Sequence, residues 1–355
     1  MKIAELITSS LTDSRQAALV TSQVNRRYIT GFNSSSGIIV ITKDRKYFLT
    51  DSRYYDKAVE MVHGYKVVLL KDVKEQLDYI FIKHRIDTVS VENQTMTLAG
   101  LEKYKEMFSH IEFDTSNWLS DLIVKKRMIK TSDELSKIEA AQRIAERAFS
   151  KLLTKLRPGI TEKQVAAVLN YYMSELGSDG EAFPIIAASG KNSAVPHSSP
   201  TSKELVEGEF IIIDFGAVVD GYHSDMTRTV VIGNPTEAMK RVYDAVWSAN
   251  TDVLKAVRPD ITGKLLDNVA RSTLEAWGYE SYFGHGLGHG VGLEVHETPT
   301  ISSKADATLR ENMVFTVEPG VYIPHKFGVR IEDMIVVTKN GCVNLTKTPK
   351  TLIQV

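Results

Sequence analysis

Residues 148–177 and 249–278 are two copies of one pattern, set 101 positions apart (258 − 157). Ala148, Leu153, Arg157, Pro158, Ile160, Thr161, Lys163, Val168 and Gly177 all recur in the second copy. Average residue usage would give about two such identities over this length, so the segment is duplicated. Duplication continues downstream, where "HSSPT" (197–201) returns as "HETPT" (296–300). Each leads into an apolar strand, "EGEFIIIDFG" and then "RENMVFTVEPG", and each strand has a return partner, "SDMTRTVVIG" and "VRIEDMIVVT". Each half is expected to be two helices and a β-hairpin. Two such halves, neither able to bury its apolar face alone, pack about a pseudo-twofold axis into one α+β domain.

The chain ahead of the duplication reads differently. Short apolar runs, "AALVTS", "GIIVIT", "KYFLTD", "YKVVLL" and "DTVSVE", alternate with helical stretches between residues 17 and 120, the mark of an α/β domain. A basic connector and a long helix follow in "VKKRMIKTSDELSKIEAAQRIAERAF". Thr131 and Glu134 form a capping box there, and Leu135, Ile138, Ala141, Ala145, Ala148, Leu152 and Leu156 keep helical spacing. The expected division is 1–124 for the α/β domain and 125–355 for the duplicated one. A length of 355 residues is ample for two cores.

Charge narrows the partners. With 43 basic and 44 acidic residues, the net charge of −1 gives neither nucleic acid nor an anionic membrane a reason to bind. Glu5 interrupts the N-terminal apolar stretch, so neither a signal peptide nor a membrane span is expected there. Cys342 is the one cysteine, which excludes an intramolecular disulfide and a cysteine metal cluster and fits a cytoplasmic protein.

Four carboxylates occupy matched places in the two hairpins. Asp214 and Asp225 flank the first turn, and Glu318 and Glu332 flank the second. Strand alternation puts Arg330 and Glu332 on one face and Asp333 on the other, and sets Thr227 on the face of Asp225. A pseudo-twofold that brings the hairpins together gathers all four carboxylates, whose mutual repulsion a bound dication would relieve. In "GHGLGHGVG" (284–292) glycine at every second position implies close backbone approach, and His289 can offer a neutral imidazole. This oxygen-rich set, Asp214, Asp225, His289, Glu318 and Glu332, suits two divalent ions better than one structural zinc. Mn²⁺ is the first choice, with Co²⁺, Fe²⁺ or Zn²⁺ as alternatives. Repeat equivalence gives His197 and His296 a functional role. His285 is open to two readings, a group behind the ligands or an ordinary loop histidine. Arg330 is expected to orient Glu332 or a neighbouring carboxylate.

Other chemistries find no motif. His296-Glu297 is not followed by a histidine at position 300, which is Thr300, so no zincin helix starts there. "AASGKNS" lacks the nucleophile-elbow frame, and the chain has neither a dinucleotide-binding glycine fingerprint nor a phosphate-binding loop.

These residues resemble the pita-bread metallopeptidases, the family of prolidase, aminopeptidase P, methionine aminopeptidase and the metal-free creatinase. "DFG" and "SDMTRT" match its aspartate ligands at Asp214 and Asp225, "GHGLGHGVGLEVHE" its histidine at His289, and "TVEPG" and "RIED" its glutamates at Glu318 and Glu332. "VPHSSPT" and "HETPT" match its two pocket histidines, while "YITGF" and "TDSRY" are similar to the creatinase/prolidase N-terminal domain. The resemblance implies a dinuclear-metal exopeptidase that cleaves the Xaa-Pro bond of a small peptide with proline second, most simply a Xaa-Pro dipeptidase. The alternative it implies is a Xaa-Pro aminopeptidase acting on longer peptides, and the remote one a non-catalytic binding protein on the same fold. It further implies a homodimer, Glu318 as ligand and general base, His296 as oxyanion donor and His197 on the proline side. One place departs from the family pattern: several of its dipeptidases carry arginine directly after H-E-x-P, where this chain has Thr300. Arg330, His197 or a partner subunit is then left to supply the positive group for a substrate carboxylate.

Overall fold

The five apolar runs of the first third become strands of one sheet: β1 (Gln16–Val20), β2 (Ile38–Ile41), β3 (Lys46–Thr50), β4 (Lys66–Leu69) and β5 (Thr88–Val91). A sixth short strand, β6 (Glu112–Asp114), completes the order β4-β3-β2-β1-β5-β6. β1, β2 and β3 pair antiparallel, whereas β3–β4, β1–β5 and β5–β6 are parallel. Parallel neighbours need crossovers, and helices supply them: α3 (Tyr55–Met61), α4 (Val73–His84) and α5 (Leu98–Met107), after α1 (Ile3–Ser10) and α2 (Gln23–Thr30) and before α6 (Trp118–Met128). Both sheet faces are covered. Ala17 and Leu19 enter one core with Leu77, Ile80 and Phe81 of α4, and Ala18 and Val20 the other with Ile3, Ile7, Leu119 and Ile123. This is why the strands read as unbroken apolar runs rather than alternating ones.

In this computed structural model, which describes residues 2–355, the chain divides into two compact units, one ending at Arg127 and the next starting at Met128. The second unit opens with α7 (Ser132–Leu153), whose N-terminus carries the expected box, Thr131 and Glu134 each bonding the other's backbone. Ile138, Ala141, Ala145, Ala148 and Leu152 are buried along it, Leu135 is only half-buried, and Leu156 lies beyond the helix end. Next come α8 (Glu162–Glu175), β7 (Ile186–Ser189) and the hairpin β8 (Phe210–Phe215) and β11 (Met226–Val231), whose turn holds a small ribbon of β9 (Val218–Val219) and β10 (Tyr222–His223). The second half repeats the plan. α9 (Glu237–Ala256) and α10 (Gly263–Ala276) precede β12 (Gly288–Gly290), β13 (Glu297–Ile301) and the hairpin β14 (Val314–Val317) and β17 (Asp333–Thr338). Its turn again holds a ribbon, β15 (Gly320–Ile323) with β16 (Phe327–Arg330). β18 (Gly341–Asn344) and β19 (Ile353–Gln354) finish two sheets of order β19-β11-β8-β7 and β13-β12-β14-β17-β18.

Individual bonds repeat as well. Gly159 N donates to Leu205 O at 3.0 Å and Leu205 N to Ile160 O at 2.9 Å; Asp260 N to Leu309 O at 2.9 Å and Leu309 N to Ile261 O at 2.8 Å are their counterparts. Gly159 and its match Asp260 share a left-handed backbone, φ +87° and +66°, a conformation aspartate tolerates better than most residues. α7 and α8 bury Phe149, Leu152, Val165 and Leu169 on Ile211, Ile213 and Phe215 of β8; α9 and α10 bury Val246, Val253, Leu266 and Ala270 beside Phe315 and Val317 of β14. Each such large side chain contributes about 1.5–3 kcal/mol when fully buried, which holds each helix pair on its hairpin. The halves join between β11 and the β16–β17 segment. Thr229 Oγ1 donates to Arg330 O (2.9 Å), Glu332 N to Thr227 O (3.1 Å), and Arg228 forms a buried ion pair with Asp333 (2.9 Å). Among the described residues no helix is long and apolar enough to cross a membrane.

Candidate active site

Asp214 sits inside β8, where Ile211, Ile213 and Phe215 enter the core and Asp214 necessarily turns the opposite way. Its ladder partner is Thr227 of β11, and Asp225 stands just before that strand. Glu318 follows β14 and Glu332 precedes β17. All four carboxylates line one cavity of about 560 Å³, together with His197, His285, His289, His296 and Arg330. Every residue named from the sequence as a site candidate is therefore on one wall or another of this cavity. A third wall, Phe183, Pro184, Ile185 and Ile186, is apolar.

The chain fixes each group from behind. His289 Nδ1 faces the Gly290 carbonyl at 3.2 Å, and since a carbonyl only accepts, this nitrogen carries the proton. Nε2 is thus left facing Glu318 Oε1 at 3.3 Å and Asp225 Oδ2 at 3.6 Å, the tautomer a metal ligand requires. The glycine pattern around it does what close approach demands: a Cβ on Gly288 would lie 2.0 Å from the Thr316 carbonyl oxygen. Thr227 Oγ1 donates to Glu332 Oε2 (2.7 Å) and accepts from Arg330 Nε (3.1 Å), so alternation does put Thr227 among the site carboxylates. Asp333 points away, toward Arg228 and Lys350. The His296 ring centroid is 4.0 Å from that of His289.

Arg330 orients Asp214 rather than Glu332, with Nη2 to Oδ2 at 2.7 Å. Its other donors go to Tyr322 Oη (2.8 Å), Thr227 Oγ1 and the Pro196 carbonyl (3.3 Å). Among the described residues, four of its five N–H groups are thus engaged, while the side chain still lines the cavity. Tyr322 was not picked out from the sequence. It joins Arg330 to His285 Nε2 (3.0 Å), and His285 Nδ1 donates to the Gly286 carbonyl (2.8 Å), so His285 stands behind the carboxylates as part of a bonded chain. The only sequence signal for Tyr322 was two further alternations beyond Glu318. Asp267 and Arg271 of α10 were also missed. Asp267 accepts from Leu287 N (3.1 Å) and Arg271 donates to the His285 carbonyl (2.8 Å), which braces the glycine-rich loop.

Electrostatics show what the cluster can take. Burial, then repulsion from the other carboxylates, pushes Asp225 and Glu332 well above the usual carboxylate range. Burial also raises Asp214, against the pull of Arg330. Against its own burial, Glu318 is drawn down to about 2 when His289 is the imidazolium, whose Nε2–H and charge then face it; loss of that Nε2 proton gives the neutral tautomer a metal ligand requires. Burial lowers His285 and His296. Among the described residues Asp214 Oδ1 is buried without a hydrogen-bond partner, and single oxygen or nitrogen atoms of Asp225, His289 and Glu332 lie within 4.8 Å of one another. Repelling buried carboxylates, an orphaned carboxylate oxygen and a convergent imidazole fit divalent cations, which take oxygen and imidazole donors and remove the repulsion.

Comparison with known proteins gives the same chemistry a family. Residues 136–339 match the model of metallopeptidase family M24, and residues 4–129 match the creatinase/prolidase N-terminal domain. An uncharacterized peptidase of Bacillus subtilis is 40% identical over 94% of each chain. The structure of a Xaa-Pro dipeptidase from Bacillus anthracis superposes with a TM-score of 0.95 at 36% identity, covering 99% of both chains. An X-Pro aminopeptidase from Thermotoga maritima follows at a TM-score of 0.91 and 38% identity, covering 98% of this chain and 99% of its own. This chain belongs to metallopeptidase family M24, with a creatinase/prolidase N-terminal domain ahead of its pita-bread catalytic domain.

Proposed function

We propose that this protein is a metal-dependent exopeptidase that hydrolyses the bond between an N-terminal residue and proline, acting as a Xaa-Pro dipeptidase. The observation that carries the reading is the convergence of four carboxylates, His289 and two exposed histidines on one cavity that also has an apolar wall. Asp214, Asp225, His289, Glu318 and Glu332 would hold two divalent ions, Mn²⁺ first among them. Such ions supply Lewis acidity, lowering the pKa of water toward neutrality and polarising a carbonyl. Glu318 takes a proton from the attacking water and passes it to the prolyl nitrogen as the C–N bond breaks. His296, beside His289, donates to the developing oxyanion. His197 contacts the proline side, and the Phe183–Ile186 wall suits a ring whose amide nitrogen has no hydrogen to recognise. Arg330 holds Asp214 in place through Nη2, and His285 is fixed by Tyr322.

One observation favours the aminopeptidase reading. Thr300 lines the cavity where several family dipeptidases carry arginine, and Arg330 is largely engaged by Asp214, Tyr322, Thr227 and Pro196, which leaves the far end of the substrate without the guanidinium those dipeptidases place there. Initial rates on Ala-Pro and Ala-Pro-Ala, measured on Mn²⁺-loaded protein beside a chelated control, separate the two. Preference for Ala-Pro supports the dipeptidase, preference for Ala-Pro-Ala the aminopeptidase, and silence on both leaves the binding protein. Homodimeric assembly follows the family resemblance and is checked by size-exclusion chromatography with light scattering. A cytoplasmic location is supported by the unpaired Cys342.

A further inference from the structure

The two halves of the catalytic unit differ at one matched position. The offset that superposes Arg157 on Arg258 pairs Glu162 with Gly263, and each residue opens a helix behind a capping threonine, Thr161 or Thr262. The two short motifs, 99 positions apart (300 − 201), pair Thr201 with Thr300. In the second half, α10 begins directly against the motif. A Cβ on Gly263 would lie 2.7 Å from the Thr300 carbonyl oxygen and 3.2 Å from Ile301 Cα. The motif there is strand β13, held by its ladder with β12, so His296 stands at the edge of a sheet.

In the first half the motif belongs to no strand or helix; the start of α8 holds it instead, through Lys163 N to Thr201 O (3.1 Å) and through the Glu162 side chain. This carboxylate is fully buried. Oε1 accepts from Ser189 N (2.7 Å), Ser189 Oγ (2.8 Å) and Asn192 Nδ2 (3.1 Å); Oε2 accepts from Thr201 N (2.9 Å), Thr201 Oγ1 (2.6 Å) and Asn192 Nδ2 (3.2 Å). Both ends of the segment 189–201 thus close on one carboxylate. Its middle is pinned to β16 by Gly328 N to Ser193 Oγ (2.9 Å) and by Arg330 to the Pro196 carbonyl. His197 projects from this segment into the cavity.

We propose that Glu162 is a positioning residue: by clamping both ends of the segment 189–201 it sets where His197 stands against the proline side of the substrate. The inference rests on the reading of His197 as a substrate contact. The substitution Glu162→Gln would present an amide N–H to backbone and hydroxyl donors in place of an acceptor, opening one end of the segment. None of the residues that Glu162 bonds is a proposed metal ligand, so the cost falls on substrate binding.

The test uses the Mn²⁺-loaded full chain and Ala-Pro, with Glu162→Gln, Thr201→Val, His197→Ala and the double variant Glu162→Gln/His197→Ala. Glu162→Gln is expected to raise KM by roughly tenfold, within what a displacement of about 1 Å costs, with kcat and metal content unchanged. Thr201→Val, which deletes one hydroxyl donor, shifts KM in the same direction and stands in should Glu162→Gln fail to fold. In the His197→Ala background the Glu162→Gln effect should vanish, because a residue acting through another is silent once that other is gone. In the NMR spectrum of the same variants loaded with diamagnetic Zn²⁺, the His197 ring-proton signal, assigned by its loss in His197→Ala, should shift in Glu162→Gln while that of His325 holds. A folded Glu162→Gln with wild-type KM and an unmoved His197 signal would overturn the inference, and so would KM effects that multiply in the double variant. A neutral His197→Ala would instead overturn the reading of His197 on which the inference stands.

Discussion

At the residue scale the site depends on side chains that never meet a ligand. Thr227 spends its hydroxyl on Glu332 (2.7 Å) and its lone pair on Arg330 (3.1 Å). Groups that orient a metal-binding carboxylate in this way are worth roughly 10–100-fold in metal affinity or activity when removed. Thr227→Val keeps the volume and deletes the hydroxyl, so metal titration should show a loss in that range. The carboxylates themselves were legible in the sequence because matched positions in a duplicated hairpin carry their side of the sheet with them. Asp214, Asp225, Glu318 and Glu332 needed only period-two alternation and the repeat. Tyr322 and Glu162 were not legible for the opposite reason. A tyrosine in a strand and a glutamate in a helix's first turn have ordinary local explanations, and only the folded chain shows what each one touches.

At the element scale the two helix N-termini illustrate different solutions. The hydrogen bonds converging on Glu162 outweigh its burial and hold its carboxyl below the ordinary 4.5. A depressed folded-state pKa contributes stability that is present above the unfolded value and lost as pH falls through the folded one. Glu162→Gln should therefore melt lower than the wild type at neutral pH, and the gap should close in acid below that folded pKa; calorimetry across this range checks it. Around β12 the constraint is steric. Gly288→Ala would place a methyl 2.0 Å from the Thr316 carbonyl oxygen, and forcing β12 from β14 should cost at least the ~1–3 kcal/mol typical of overpacking. Denaturant unfolding measures that loss directly. The glycine run implies close backbone approach from sequence alone, and the structure names the neighbour. The strand nature of HETPT, against the irregular HSSPT, was not readable, since both have the same motif and differ only in what the rest of the chain pairs with them.

At the scale of the whole molecule, duplication sets the division of labour within the catalytic unit. One hairpin brings Asp214 and Asp225, the other Glu318 and Glu332, and the seam between them gathers the four on one cavity. Strand order inside each sheet was beyond the sequence: the parallel pairing of β19 with β11 joins residues 353–354 to 230–231, and no local pattern announces so distant a partner. The assembled site has a thermodynamic consequence. Cations that bind only the folded chain stabilise it by mass action, about 2.7 kcal/mol at a hundredfold excess over Kd, and here they also relieve the repulsion that raises Asp225 and Glu332. Chelation should lower the melting temperature, and Mn²⁺ should restore it. The most direct test of the central claim is the initial rate of Ala-Pro hydrolysis as Mn²⁺ is titrated into chelator-stripped protein. A rate near zero without metal, rising to a plateau at about two ions per chain, is the predicted result; hydrolysis indifferent to metal, or none at any metal concentration, would contradict it.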